Sequence, residues 1–594
     1  MAQLTEHTDV LDKRLTKHLL RRACFHYSKQ QLEANVGKTA SEILQSLATP
    51  KSFTWPWPYD VIKNGPNSQC PDTTDGSWLE NPNWTSSLYS CGQNRKRGLV
   101  AGWWWFNALK QNTLIDKLTW FLFTTFTLSK DDGSGRSAHF FDYLNLLQFY
   151  ADKSVKDLAK KITFDNSMLY YLDNKDNNKN SPNENYAREF LELFTIGKGE
   201  QIADGDYTNY TEHDVVQAAR VFSGVKLKPN RDHYDTDTVK SPHYPNGLPT
   251  GYINVGKHDT GAKTFSHAFA AQTISGGNDT NSIEAELDNF VEMVFSQSAT
   301  AVNYVRKLYR MYVRSEWGQD VEEGIITPLA EQLMRNGYNV QEVLLTLLKS
   351  KHFFDLDDSD SSNENIGGII KNPLQYLTEM TQLLGVEVPD ATVAPPPPGD
   401  PYNQSTYYYF HQFWMFFAHN SFFPATGMEL FAPSTVAGYA GDYQAPSYDR
   451  SWFNSNTIIA RYNTIMSFIG GEYSDGNGNG NNQIVGIQTT ANGGKYYQRI
   501  RTNFSSVDFV ANSISDPFDP NKVVNEIAEL LYCESIDTSR LAYFKLFLVP
   551  QGQPDYYWYE AWSNYVDHGD MTQVKLRLDQ LVAKMVNAAE FQLM

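Results

Sequence analysis

Apolar residues recur every three or four positions along most of the chain, which is the spacing of amphipathic α-helices. Residues 10–48 show this spacing in the run LTKHLLRRACF. The run YVRKLYRMYVR (304–314) predicts another helix, whose buried side would carry Val305, Leu308, Tyr309 and Tyr312. Most of the chain is therefore predicted to be helical.

Capping residues predict where individual helices begin. Gly337 is expected to end one helix, and Asn339 to cap the next with Glu342 at its third position. Thr211 and Asp214 form a second pair of this kind. The helix after Asn339 would bury a single apolar stripe, made of Val340, Val343, Leu344, Leu347 and Leu348.

Changes in composition interrupt the helical pattern and divide the chain. A proline run occupies 395–398, and DGNGNGNN (475–482) predicts a turn between two strands, SFIGGEY and QIVGIQTT. The predicted fold class is mainly α: a multi-helix globular array with irregular and β-hairpin insertions. The predicted divisions are N-terminal helices (1–50), an aromatic and cysteine-bearing insertion (51–100), a helical core (101–385), a proline-rich linker with an aromatic segment (386–455), a β-hairpin insertion (456–505) and C-terminal helices (506–594).

The charge balance excludes some classes of function. The 594 residues include 50 Lys and Arg against 68 Asp and Glu, a formal net charge of −18. This balance argues against nucleic-acid binding, which needs a surplus of basic residues to face the phosphates. No apolar run is long enough to predict a transmembrane segment. The N-terminal run MAQLTEHTDVLDKRLTKHLL lacks the basic and apolar regions of a signal peptide. A cytoplasmic location is the default expectation, and export with a signal-bearing partner is the alternative.

Aromatic residues make up 14% of the chain. They indicate either aromatic-packed cores or a surface that binds carbohydrate or a protein partner. Of the four cysteines, Cys24, Cys70, Cys91 and Cys533, the second and third flank a loop-like stretch. Those two would form a disulfide in an oxidising compartment, or remain two free thiols.

The run SPNENYAREFLELFTIGKG, which begins at Ser181, is a candidate functional helix. Ser181 is predicted as its N-cap, with Pro182 at the first position and Glu184 completing a capping box. Glu184, Arg188 and Glu192 recur every four residues. They would form either a site in which Arg188 holds two carboxylates for acid–base work or cation binding, or an ordinary stabilising ion-pair stripe.

A second candidate lies in GYINVGKHDTGAKTF (251–265). It contains GxxxxGK, but His258 replaces the Ser or Thr that a phosphate-binding loop requires, so we reject that motif. His258, Asp259 and Lys263 remain a candidate catalytic cluster on a loop. The alternative is a His–Asp pair that only holds a turn in place.

No metal site is predicted. The run DNKDNNKN (173–180) lacks the glycine and distal glutamate of an EF-hand loop, and His411 and His419 fit packing as well as metal binding. No cofactor is predicted, although calcium bound by Asp- and Asn-rich loops is not excluded.

Several segments, in their order along the chain, resemble the bacterial family called domain of unknown function 1800. They are LLRRACF (19–25), PNENYAREFLELFTIGKG (182–199), YTEHDVVQAARVFSG (210–224), HDTGAKTF (258–265), IKNPLQYLTEM (370–380), ELFAPSTVAGYAG (429–441) and the terminal AAEFQLM. The resemblance covers nearly the whole chain and implies a mostly helical protein. It also implies a protein partner of the family called domain of unknown function 1501, often encoded beside it, which resembles alkaline phosphatases and tends to carry a twin-arginine signal.

One segment departs from the family pattern. Where the family usually has Trp-His-Asn-His-Phe, this chain reads FLFTTFTLS (121–129), with Phe123 and Thr125 at the two histidine positions. If those histidines bind metal or move protons in the family, this chain cannot do so there.

These observations predict a binding or assembly component of a larger bacterial protein complex. Its candidate aromatic anchors are WPWPY (55–59), WWWF (103–106) and YYYFHQFWMFF (407–417). The alternative is a hydrolase-like enzyme that uses Glu184, Glu192, His258 and Asp259.

Overall fold

A computed structural model describes most of the chain. The described residues are 2–49, 58, 78–80, 92–131, 136–238, 244–357, 365–386, 388, 413–469, 485–491, 494–500 and 504–594. Cys70, Cys91, His411 and all of WPWPY except Pro58 lie outside these ranges.

The mainly α class predicted from the sequence is confirmed. The α-helices are α1 (Lys13–Ala23), α2 (Lys29–Glu33), α3 (Ala40–Leu47), α4 (Gln93–Gln111), α5 (Leu114–Thr125), α6 (Ser137–Tyr150), α7 (Val155–Ile162), α8 (Asn166–Tyr171), α9 (Asn185–Glu189), α10 (Glu212–Val221), α11 (Thr280–Phe295), α12 (Ser298–Tyr312), α13 (Gln319–Val321), α14 (Thr327–Arg335), α15 (Val340–Leu348), α16 (Pro373–Leu383), α17 (Phe423–Ala425), α18 (Ala440–Tyr443), α19 (Ser455–Ile469), α20 (Ser506–Ser513), α21 (Pro520–Leu531), α22 (Thr538–Lys545), α23 (Tyr556–His568), α24 (Thr572–Val586) and α25 (Ala589–Gln592). Within the described ranges, three π-helices accompany them: Phe190–Phe194, Glu322–Ile326 and Phe413–Phe422.

The described strands form small antiparallel pairs. They are β1 (Gln201–Ala203), β2 (Asp206–Tyr207), β3 (Val225–Lys226), β4 (Tyr234–Asp235), β5 (Leu248–Pro249), β6 (Tyr252–Ile253), β7 (Lys263–Thr264), β8 (Thr273–Ile274), β9 (Val485–Ala491) and β10 (Gly494–Ile500). The pairs are β1–β2, β3–β6, β4–β5, β7–β8 and β9–β10. Helices therefore build the core, and the strands fix the loops between them.

The hairpin forms from a different pair of chain segments than the sequence predicted. SFIGGEY is not a strand over its described residues, because Ser467, Phe468 and Ile469 end α19. Ile465 and Phe468 are buried three residues apart, a helical spacing. QIVGIQTT does supply β9, but its partner is the following β10, with Ala491 opposite Gly494.

Two of the predicted helix starts are confirmed. The Thr211 side chain accepts the backbone N–H of Asp214, whose carboxylate accepts the Thr211 N–H at 2.8 Å. Asn339 Oδ1 accepts the N–H groups of Gln341 and Glu342. Both caps satisfy helix N–H groups that would otherwise lack a partner.

The aromatic runs that the structure describes are core. Trp103 to Phe106 are at most 2% exposed, and Trp105 stacks on Trp414 with ring centroids 5.4 Å apart. Gly102 allows this approach, since a Cβ there would lie 2.4 Å from the Trp414 ring. The WWWF run, and the part of YYYFHQFWMFF for which side-chain burial is described, are therefore not surface anchors.

Candidate functional site

A cavity of about 290 Å³ lies where α5, the π-helix Phe190–Phe194, α12, α16 and the chain around α18 meet. Phe25, Trp120, Met311 and Trp452 contribute apolar walls. Several ionisable side chains line the same space: Lys117, Glu192, Lys198, Lys307, Arg310 and Asp442. The site thus combines a mostly apolar enclosure with a few polar groups, as small-molecule sites usually do.

One face of α12 forms a polar wall of the cavity. Asn303, Lys307 and Arg310 follow one another at intervals of four and three residues, so they lie on the same side of the helix. All three line the cavity. The opposite side of α12 carries the core residues Val305 and Tyr309.

The same wall holds the end of the π-helix, a geometry that occurs frequently at functional sites. Its last carbonyl oxygens and that of the next residue accept side-chain hydrogen bonds from α12. The bonds run from Lys307 Nζ to Leu193 O (2.6 Å), from Tyr304 Oη to Phe194 O (2.5 Å) and from Asn303 Nδ2 to Thr195 O (2.7 Å). The helix end and the polar face are therefore fixed against each other.

Lys307 is a partly buried lysine without a counter-ion. Among the described residues, no carboxylate lies within 4.0 Å of its Nζ, which donates to the Leu193 carbonyl. Burial, and next the charge of Arg310, lower the pKa of Lys307 to about 7. A large fraction of this side chain is then a neutral amine at physiological pH.

Lys117, on α5, is a second buried lysine in the lining. It is 3% exposed, and its Nζ donates to the carbonyl oxygens of Arg21 (3.2 Å) and Cys24 (3.1 Å). Burial, followed by the charge of Arg22, lowers the pKa of Lys117 to about 7.

Arg310 and Asp442 bring opposite charges to the cavity without forming an ion pair. The Arg310 guanidinium lies 4.3 Å from the Tyr448 ring centroid and 5.2 Å from that of Trp317. Its buried Nε has no hydrogen-bond partner, and neither has Oδ2 of Asp442. Burial raises the pKa of Asp442 to about 7, while the charge of Arg310 acts in the opposite direction.

The other carboxylates in the lining already have partners. Glu192 accepts a hydrogen bond from the Tyr210 hydroxyl (2.9 Å) and lies 3.5 Å from Lys198 Nζ. Asp449 accepts the Ile370 N–H (2.7 Å) and the Ser315 hydroxyl. Lys117, Lys307, Arg310 and Asp442 therefore remain as the groups with capacity for a ligand.

Comparison with protein families gives one match. The family described as "Protein of unknown function (DUF1800)" matches residues 18–593, nearly the whole chain. This chain belongs to that family. Comparisons with curated proteins and with solved structures found no match.

The DUF1800 segments converge on the cavity. Lining residues come from LLRRACF (Phe25), the 182–199 segment (Glu192, Leu193, Gly197, Lys198), the 370–380 segment (Ile370, Asn372, Gln375), the 429–441 segment (Val436, Ala437, Gly441) and the C-terminus (Met594). The segments 210–224 and 258–265 supply none of the lining. The cavity is thus the place where most segments that carry the family resemblance meet.

The 181–199 helix differs from its predicted form at its start. Ser181 is not its N-cap and Glu184 forms no capping box, because the helix begins at Asn185. The Asn183 side chain instead accepts the Asn185 N–H (2.9 Å), while Asn177 accepts the Asn183 N–H. These asparagine contacts hold the chain before Asn183 in a loop.

Arg188 has a partner that the sequence reasoning missed. It forms two hydrogen bonds with Glu212, at 2.6 and 2.7 Å, and lies 3.6 Å from Glu184. Glu192, the third member of the predicted stripe, pairs with Tyr210 and Lys198 instead. The two-pronged geometry with Glu212 outweighs the i, i+4 contact, so the predicted Glu184–Arg188–Glu192 unit does not form.

The candidates on the 258–263 loop form a buried cluster away from the cavity. His258, Lys263 and Glu286 have fully buried side chains. Glu286 accepts from His258 Nε2 (2.9 Å) and the Gly277 N–H (2.6 Å), and Lys263 Nζ lies 2.6 Å from its other oxygen. Burial lowers the pKa of Lys263, and its contact with Glu286 opposes this.

Asp259 lies at the edge of that cluster. Arg220 donates two hydrogen bonds to its carboxylate, at 2.9 and 3.1 Å, and this contact holds the pKa of Asp259 below its ordinary value. Both side chains are about one quarter exposed. The structure therefore separates the sequence candidates into three places: Glu192 at the cavity, Glu184 and Arg188 beside Glu212, and His258, Asp259 and Lys263 near Glu286.

Phe123 and Thr125, the two positions at which the resemblance led us to expect histidines, differ in their surroundings. Thr125 lines the cavity, whereas Phe123 packs in the core against Trp120, with centroids 5.3 Å apart. Within the described part of the chain, no group of three His, Cys, Asp or Glu side chains could hold a metal ion. Cys24 and Cys533 are both buried.

Sequence reasoning missed Lys117, Lys307, Arg310 and Asp442. They come from α5, α12 and α18, more than a hundred residues apart in places, and no local motif joins them. The sequence did contain one indication of this site. Asn303, Lys307 and Arg310 form a polar row on α12, opposite the apolar stripe of that helix.

Proposed function

We propose that this protein binds a small organic anion in the cavity between α5, α12 and α18. The observation that carries the proposal is a set of basic side chains without acidic partners. Lys307, Lys117 and Arg310 have no carboxylate partner among the described residues, whereas the carboxylates Glu192 and Asp449 are already satisfied. A chain with net charge −18 has placed three unpaired basic groups in one cavity, and Arg310 is the permanent cation among them.

Electrostatics support an anionic ligand. An isolated buried cation is costly unless it is paired or loses its proton. A bound carboxylate or phosphate would supply the missing partner and form charge-assisted hydrogen bonds with Arg310. Three groups with pKa near 7 in one cavity, Lys117, Lys307 and Asp442, are also typical of sites that carry out chemistry.

The test is a panel of small carboxylates and phosphates, each compared with its neutral amide or alcohol, read out by thermal shift and then calorimetry. Ligands that bind the folded state raise its melting temperature. We expect acids to stabilise the protein and their neutral counterparts not to. Equal stabilisation by both would overturn the proposal.

Variants on α12 sharpen the test. Arg310→Leu and Lys307→Met should each lower the affinity by about tenfold or more, as loss of a charge-assisted hydrogen bond does. Arg306→Leu is the matched control, because Arg306 lies on the same helix but pairs with Glu322 outside the cavity. Equal losses in Arg306→Leu and Arg310→Leu would place the binding elsewhere.

A second candidate function is assembly with another protein, for which the DUF1501 partner is the proposed occupant. Exposed aromatic and aliphatic side chains concentrate on α22, α23 and the loops beside them. They are Tyr543 (42%), Leu546 (46%), Tyr556 (64%), Tyr557 (37%), Tyr559 (48%) and Val566 (56%). Clusters of exposed aromatic side chains favour a protein interface.

This second candidate is tested with the two purified proteins. Tyr556→Ser with Tyr559→Ser, a stacked pair 5.9 Å apart, should weaken binding of a DUF1501 protein from the same organism. Tyr170→Ser, also exposed (41%) but distant in sequence, is the control. Absence of binding by the unaltered chain would remove the assembly proposal and leave the anion-binding one intact.

The hydrolase alternative receives less support from the geometry. Its candidates His258 and Asp259 lie outside the cavity lining, and His258 is fully buried. Glu192 is the one member of that set at the cavity, and its carboxylate has two partners.

A further inference from the structure

We propose that Lys307 forms an imine with a carbonyl carbon of the bound ligand, and that the ligand is therefore a small oxo acid whose carboxylate lies against Arg310. The inference rests on the proposed anion site and adds a covalent step to it. It rests on two groups on one face of α12, the amine of Lys307 and the guanidinium of Arg310. Neither group pairs with a carboxylate among the described residues.

The position of Lys307 suits a nucleophilic amine. Its Nζ is anchored to the carbonyl of Leu193 at 2.6 Å, which fixes the position of the amine in the wall of the cavity. The residue lines the cavity and has no carboxylate nearby among the described residues to hold a proton on it. Lysines become nucleophilic when they are desolvated or lie beside another cation, and Lys307 meets both conditions through burial and Arg310.

Arg310 is placed to orient an acid. Its side chain is held between the rings of Tyr448 and Trp317, and its Nε is left without a partner. Arg310 lies three residues after Lys307 on the same helix, so a carboxylate on the guanidinium would place a neighbouring carbonyl close to Nζ.

Two other lysines of the lining fit the role less well. Lys117 Nζ is already tied to two carbonyl oxygens, those of Arg21 and Cys24. Lys198 lies 3.5 Å from Glu192, which keeps it protonated, and its side chain is 40% exposed.

The step is balanced without any further reactant. The neutral Nζ attacks the carbonyl carbon, forming a C–N bond, and the carbonyl oxygen gains a proton. The nitrogen then loses its two protons in turn and the oxygen leaves as water, so that amine and carbonyl give imine and one water.

Reductive trapping tests the inference. The full-length protein is incubated with pyruvate, and separately with larger 2-oxo acids, in the presence of cyanoborohydride, and the modified peptide is mapped by mass spectrometry. We expect one adduct on Lys307, which adds to the lysine the mass of the acid less one oxygen atom. An adduct on Lys117 or on surface lysines, or none, overturns the inference.

Variants separate chemistry from folding. Lys307→Arg keeps a basic group and should bind the acid without trapping it. Lys307→Met should bind the acid about tenfold more weakly and trap none of it. Arg306→Leu is the control on the same helix, because Arg306 pairs with Glu322 outside the cavity, and it should trap as the unaltered chain does. Arg310→Leu should lower trapping of pyruvate by about tenfold but leave trapping of an uncharged aldehyde unchanged.

The outcomes distinguish this inference from the function on which it rests. If acids bind in the calorimetric panel but no adduct forms, the imine is wrong and the anion site stands. If no acid binds and none is trapped, both fall.

Discussion

The buried cluster around Glu286 allows a direct decision on whether the sequence candidates His258 and Lys263 serve structure or catalysis. The perturbation is Glu286→Leu. It removes the acceptor of His258 Nε2 (2.9 Å) and of the Gly277 N–H (2.6 Å), and the carboxylate oxygen 2.6 Å from Lys263 Nζ. All three side chains of the cluster are fully buried, so water cannot take the place of the lost carboxylate.

The expected cost follows from that burial. Removing one partner of a buried ion pair typically destabilises a protein by about 3–5 kcal/mol, because the remaining charge is left uncompensated. We therefore expect Glu286→Leu to lose about 3–5 kcal/mol. Lys263→Met should cost less, because His258 and Gly277 still donate to Glu286. The double variant should recover part of the loss, since no buried charge is then stranded.

The assay is urea denaturation followed by tryptophan fluorescence, with the four chains compared as a double-mutant cycle. Binding of acids to the cavity is measured on the same samples at low temperature. A loss below about 1 kcal/mol in Glu286→Leu would refute the structural interpretation. The structural interpretation would also be refuted if Glu286→Leu kept its stability but lost a catalytic activity. The cluster would then be a second reaction centre.

Three further predictions concern other sites. Arg188→Ala should cost less than about 1 kcal/mol in the same denaturation assay, because Arg188 and Glu212 are 33% and 42% exposed; a loss of several kcal/mol would contradict this. Lys307→Met should gain stability relative to the unaltered chain at pH 7 and lose that gain by pH 10.5. The pKa of Lys307 is about 7 in the folded chain and 10.5 ordinarily. Between these two pH values the unfolded unaltered chain binds one more proton than the folded chain, so its free energy of unfolding rises by about 1.4 kcal/mol per pH unit. Parallel pH profiles of the two chains would refute the lowered pKa. Elemental analysis should find no stoichiometric zinc or iron, since no group of three His, Cys, Asp or Glu side chains among the described residues could hold a metal ion, and one equivalent of either metal would contradict this.

Local sequence patterns predicted helices and caps where the structure is determined locally. The Thr211–Asp214 box and the Asn339 cap depend on contacts within four residues, and both formed as expected. The capping pattern gave a wrong helix start at Ser181. The Asn177 side chain holds this part of the chain in a loop. That side chain accepts the Asn183 N–H and donates to the Ala219 carbonyl on α10. A contact between segments forty residues apart decides the start of this helix, and a local pattern does not contain it.

The candidate site shows the same limit more strongly. The spacing of four residues predicted that Glu184, Arg188 and Glu192 lie together. In the structure, Arg188 pairs with Glu212 from another helix, and Glu192, on the π-helix, lines the cavity. Lys307 and Arg310 belong together on α12, yet their importance depends on Asp442 and on α5, which only the tertiary fold brings near. The family segments were a better guide than spacing, because most of them meet at the cavity.

The cluster around Glu286 and the cavity differ in whether their polar groups already have partners. At Glu286, each carboxylate oxygen has a cationic or N–H partner, and such closed networks stabilise a unique packing. Beside the cavity, Arg310 Nε and Asp442 Oδ2 are buried without partners. Each such group costs about 1–3 kcal/mol when left unsatisfied. Lys307 and Arg310 line the cavity and have no carboxylate partner among the described residues, so a bound acid would supply the partner that the fold does not. The cavity, rather than the cluster around Glu286, is therefore the place to look for activity.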